Sequence, residues 1–146
     1  METFVRLVRG HAAVTRALNA ELVADHGLTI NDYEALLHLA RAEGRRMRRI
    51  DLANSLVLTA SGVTRLLDGL ERAGLVDRES CDSDRRVTYA VLTDSGLEKL
   101  RTASESHIAD VRAFFESRYT NEELDQLVSL LDRLPLDAET GACTVD

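Results

Sequence analysis

Cysteine, lysine, proline and long apolar runs are all scarce in this chain of 146 residues. The two cysteines, Cys81 and Cys143, stand far apart with no CxxC spacing, which excludes a disulfide framework and a thiolate zinc site. Four histidines, His11, His26, His38 and His107, show no ligand spacing such as HxxxH, so no metal is expected. No stretch of 18 or more apolar residues occurs, and none is expected to span a membrane. The opening METFVRLVRGHAAV has arginines inside its apolar run. That is not a signal-peptide layout, and the cytoplasm is the expected location. A phosphate-binding glycine loop, a nucleophile–base pair and a metal-hydrolase motif are also missing, so neither an enzyme nor a cofactor is expected. The DSG at 94–96 starts a helix and is no catalytic elbow.

What is present is charge, unevenly placed. The formal net charge is −7, which is unusual for a protein that meets nucleic acid. Residues 45–90, however, hold nine arginines against seven acidic residues, and the acidity lies elsewhere. All basic residues but Lys99 are arginine, whose planar fork suits guanine edges and phosphates. A G+C-rich genome would give the same bias.

Apolar spacing predicts helices over 4–25, from Phe4, Leu7, Val8, His11, Val14, Thr15, Leu18 and Leu22, and over 30–42, burying Tyr33, Leu36, Leu37 and Ala40. Gly27 ends the first helix, and Thr29 with Asp32 caps the second. EGRR at 43–46 is a loop. A short helix follows over 50–57, then a tight break. A helix capped by Thr59 continues to Ala73 and stops at Gly74. LVDRE and VTYAVL read as two strands of a hairpin, with Val87, Tyr89 and Val91 alternating onto one face. A long helix starts at Thr93 and reaches about Arg118. A last helix is capped by Thr120 and Glu123 and ended by Pro135. Residues 136–146 are polar, acidic and aperiodic, and are expected to fray.

The order helix, break, helix, hairpin describes a helix-turn-helix with a β-wing, which makes DNA the leading ligand. At 100° per residue, Val63, Leu66, Leu67 and Leu70 form one apolar stripe of the second helix. Ser61, Arg65 and Arg72 fall opposite, flanked by Thr64 and Asp68. Small residues at 60–62 allow close approach to a phosphate. Arg65 then reaches a guanine edge, and Thr64 a thymine methyl or a phosphate. The plain alternative is a solvated amphipathic surface helix in which Arg72 and Asp68 simply pair. At the hairpin tip, Asp84 and Arg86 lie two apart on one side of an extended strand, so the carboxylate can orient the arginine for a narrow minor groove. Arg85 points the other way, toward a phosphate. A solvated turn is the alternative there.

LTASGVTRLLDGLERAGLVDRESCDSDRRVTYAVLTDSG resembles the signature of the MarR family of bacterial transcriptional regulators. LANSL with SGVTRLLDGLE resembles that family's helix-turn-helix, and DSDRR followed by LTDSG its wing and exit. The resemblance implies a mainly α fold with a small β-hairpin: one winged-helix domain over 1–135, with the DNA-binding part at 30–93 and dimerisation helices at 4–25 and 95–134. It implies a homodimer on a palindromic operator, most simply a repressor. By position, Ser61, Thr64 and Arg65 match major-groove readers, Arg86 the minor-groove arginine and Asp84 its orienting carboxylate. Where the family often has Ser or Thr before LA, this chain has Ile50, so the cap of that short helix is expected to differ.

Such regulators often release DNA on binding a small, frequently aromatic, anion. The candidate contacts are Arg9, His11 and Arg16 with Tyr33 and His38, the alternative being a packed interface histidine among surface arginines. A redox role for Cys81, beside the wing arginines, is the less favoured sensing mode. The competing function is a winged-helix protein-interaction module that no longer reads DNA.

Overall fold

The computed structural model describes residues 1–80 and 87–134. Contacts divide the chain into two compact units, Met1–Ala103 and Ser104–Asp146.

Helix α1 (Glu2–His26) ends where Gly27, at φ 66°, turns left-handed and sends its N–H back to the last turn. Only Leu18 and Leu22 of its apolar stripe are buried. Phe4, Val5, Leu7 and Val8 stay exposed. The Asn19 side chain accepts from the Ile30 amide at 3.1 Å, fixing the elbow into helix α2 (Ile30–Arg41). Thr29 and Asp32 form the expected capping box. Helix α2 buries Tyr33, Ala35, Leu36 and Leu39. Leu37 and Ala40 are only half-buried, so the buried stripe is turned relative to the predicted one.

Residues 43–46 are not a plain loop. A 3₁₀ turn over Glu43–Arg45, with Gly44 and Arg45 both at positive φ, feeds strand β1 (Arg46–Arg48). Three residues with two arginines carry no strand signature, and the pairing partner that makes β1 lies more than 40 residues away. Helix α3 (Arg49–Ser55) follows directly; it starts ahead of Ile50, with Arg48 as its N-cap and no side-chain cap bond, so its start and its cap both differ from a hydroxyl cap at position 50. Helix α4 (Ala60–Arg72), strand β2 (Val76–Ser80) and strand β3 (Thr88–Leu92) come next.

The sheet has three antiparallel strands in the order β1-β3-β2, not the two of a simple hairpin. Val76 pairs with Leu92 and Ser80 with Thr88, while Arg46 pairs with Val91. On β3 the alternation is as expected, but the buried face carries Ala90 and Leu92. Tyr89 and Val91 are half-buried on the other face. The Arg46 guanidinium covers the Tyr89 ring there, 4.8 Å from its centroid. One core joins these elements around Leu22, Leu36, Leu39, Leu52, Leu67 and Val76.

Helix α5 (Asp94–Glu116) is tied to the start of β2 by the LTDSG exit. Thr93 donates its hydroxyl to the Gly74 carbonyl at 2.8 Å and accepts from the Gly96 amide at 2.9 Å. A Cβ at Gly96 would lie 2.1 Å from the Leu75 carbonyl oxygen, so only glycine lets α5 approach this closely. In the second unit, helix α6 (Asn121–Leu131) carries the predicted Thr120–Glu123 capping box. With the end of α5 it lines an open apolar groove of about 360 Å³, floored by Val111, Phe115, Leu124, Leu127, Val128 and Leu131. No residue of α6 is buried. Among the described residues no helix is long and apolar enough to cross a membrane.

Candidate nucleic-acid interface

Helices α3 and α4 are joined by a turn built without glycine. Val57 takes φ 52°, and the Leu58 amide returns to the Ala53 carbonyl at 2.9 Å. Thr59 then caps α4, its hydroxyl oxygen accepting from the Gly62 amide at 3.1 Å. Val63, Leu67 and Leu70 are buried, which fixes the rotation of the helix about its axis. That rotation leaves Ser61 and Arg65 exposed and Thr64 at the edge, as the wheel predicts.

Thr64 is more constrained than its spacing suggests. Its Oγ1 donates to the Ala60 carbonyl at 2.8 Å and accepts from the Arg49 guanidinium at 3.2 Å. Arg49, the first residue of α3, was not singled out from the sequence. It sits in a run of arginines, and only folding brings it to a helix fifteen residues on.

The ion pairs sort the arginines of this region. Arg78 on β2 forks onto α4, meeting the Asp68 carboxylate and, at 3.0 Å, that of Glu71. Arg72 therefore does not pair with the Asp68 carboxylate; its Nε donates to the Asp68 carbonyl at 3.0 Å. Arg46 meets Glu79 at 3.6 Å and Arg45 meets Asp94 at 3.0 Å. Arg49 and Arg65 meet no carboxylate among the described residues, so their charge is available to an outside anion. The wing positions Asp84, Arg85 and Arg86, together with Cys81, lie outside the described residues.

The candidate effector contacts fall on α1 and α2. Tyr33 is buried, His38 half-buried, and Arg9, His11 and Arg16 are exposed. His11 and His38 both come near Glu34, a residue not named from the sequence. Although much of its surface is open, local burial of its carboxyl pushes the pKa of Glu34 above the ordinary value, while His38 and His11 pull it down. A carboxylate beside the two histidines works against an anion at that point. Burial also lowers the pKa of His107 on α5, opposed by Asp110.

A family model described as "MarR family" matches residues 26–87, which span α2 through β2 and end just before β3. The solved structure of AbsC, a MarR family transcriptional regulator from Streptomyces coelicolor, is 40% identical, covers 90% of each chain and superposes with a TM-score of 0.74. Sco3205, a MarR family regulator from the same organism solved in complex with DNA, is 31% identical with a TM-score of 0.80 over 89% of this chain and 81% of its own. Among curated proteins, the transcriptional regulator MhqR of Bacillus subtilis (strain 168) is 25% identical over 139 residues, 95% of this chain and 93% of its own. With its three-stranded winged helix and relatives matched along nearly its whole length, this chain belongs to the MarR family of transcriptional regulators.

Proposed function

We propose that this regulator is a cytoplasmic homodimer that binds a palindromic DNA operator, represses transcription there, and is released by a small effector. The observation that carries the DNA contact is the exposed face of α4. Ser61 and Arg65 stand clear of a buried stripe, and Arg65 has no carboxylate partner among the described residues. Such a helix enters a major groove with its N-terminal residues at base edges and arginine on guanine. Asp84, Arg85 and Arg86 supply the wing contact in this scheme.

Dimerisation is supported by uncovered apolar surface: Phe4, Leu7 and Val8 on α1, and Leu127, Val128 and Leu130 on α6. Two copies related by a twofold axis then address half-sites about one helical turn apart. An effector acts through Arg9, His11, Arg16, Tyr33 and His38. With Glu34 among them, a ligand offering a hydrogen-bond donor beside its anionic group fits better than a bare anion.

The test is selection of duplexes from a random pool by the full-length protein, followed by titration in rising salt. An inverted repeat bound with a steep loss of affinity in salt is the expected result. Recovery of no DNA even at low salt defeats the proposal and favours the protein-interaction module.

A further inference from the structure

We infer that Arg49 is a second DNA-contacting cation, seated on a backbone phosphate beside α4, and that its bond to Thr64 leaves that threonine to read a thymine through its methyl group. This rests on the DNA-binding function proposed above.

A threonine hydroxyl has one proton and two lone pairs. In Thr64 the proton goes to the Ala60 carbonyl, and one lone pair is taken by Arg49. The hydroxyl has no proton left for a phosphate or a base acceptor. What remains for recognition is chiefly the γ-methyl group, the natural partner of the thymine C5-methyl. Arg49 is in the opposite position. Its guanidinium carries five N–H groups in a fixed fork, and the bond to Thr64 uses one. The fork is therefore held in place without being neutralised. Arg45, Arg46 and Arg78 each meet a carboxylate, whereas Arg49 meets none among the described residues. An exposed, anchored and uncompensated cation at the start of the first helix of a helix-turn-helix is where that helix crosses the DNA backbone.

The experiment uses full-length protein with the Arg49→Ala, Arg49→Lys, Thr64→Val, Thr64→Ser and Arg65→Ala variants, each checked for an intact thermal transition. The probes are a duplex selected by the wild type and a scrambled duplex, titrated in 50–200 mM salt. Arg49→Ala is expected to lower the slope of log affinity against log salt by about 0.9, and to weaken both duplexes roughly eightfold near 0.1 M salt. Arg49→Lys retains the slope. Thymines in the selected duplex are then replaced one at a time by deoxyuridine, which removes only the methyl group. One position per half-site is expected to cost wild type and Thr64→Val about fivefold. The same change costs Thr64→Ser nothing.

An unchanged salt slope in Arg49→Ala, while Arg65→Ala still loses binding, overturns the role of Arg49 and leaves the DNA-binding function standing. A duplex with no uracil-sensitive position, or sensitivity lost in Thr64→Val and not in Thr64→Ser, overturns the role of the methyl group. A wild type that selects no duplex overturns both this inference and the function it rests on.

Discussion

Helices α4 and α6 are near equals as sequences and opposites in the folded chain. They have 13 and 11 residues, each is capped by a threonine, and each carries one apolar stripe. Helix α4 buries Val63, Leu67 and Leu70 within its own chain, whereas α6 buries nothing. Amphipathicity therefore predicts that a helix has a partner and leaves open which molecule supplies it. Their first turns differ as well. Helix α6 begins with Glu122 and Glu123, and Glu123 completes a capping box. Helix α4 has Gly62 at that place and no acid in its first turn. A carboxylate there would strengthen the cap and repel a phosphate, so the weaker cap is the one compatible with DNA.

The largest effects should separate the two stripes. Leu67→Ala empties a site 2% exposed and should cost roughly 2–5 kcal/mol in urea unfolding. Leu127→Ala, at 36% exposure, should cost far less in a dilute monomer, and equal losses would dissolve the distinction. Next, Leu127→Asp with Val128→Asp should turn a dimer into a monomer in sedimentation at micromolar protein, with the helical signal kept. A dimer that survives both changes would remove α6 from the interface. Smaller again are the caps. Thr59→Ala and Thr120→Ala should each cost about 1 kcal/mol, but only the first should also weaken DNA binding. Equal effects on binding would mean that cap chemistry at α4 is purely structural.

The smallest effect is one of pH. The folded-state pKa of Glu34 is raised, so the native chain holds its proton more tightly than the unfolded one. Stability should then fall as pH rises from the ordinary carboxylate value through the raised one. Glu34→Gln should remove that segment of the curve and melt slightly higher at pH 7. Parallel curves for variant and wild type would place the carboxyl in free solvent.

Most of the fold was legible because its signals are local. Thr29, Thr59 and Thr120 all cap where their hydroxyls and spacing indicated. The exposed face of α4 follows from the burial of Val63 and Leu67 alone. Four features were not legible, each for a nonlocal reason. Strand β1 exists because β3 lies beside it, and Arg46–Arg48 carries no strand propensity of its own. Ala90 and Leu92, rather than Tyr89 and Val91, meet the core, because both faces of β3 are partly covered and alternation cannot choose between them. Arg49 gains its meaning from Thr64, and Glu34 from His11, across gaps in sequence that no spacing rule spans.

Val57 carries a consequence for how this scaffold can change. A β-branched side chain at φ 52°, 92% exposed, holds the turn in a conformation that costs it about 1–2 kcal/mol. Replacement by asparagine, which tolerates that conformation, would release part of this cost without touching the core. The recovered margin is comparable to what a typical substitution removes. The turn is thus a reserve against which new specificities on α4 can be selected without loss of the folded protein.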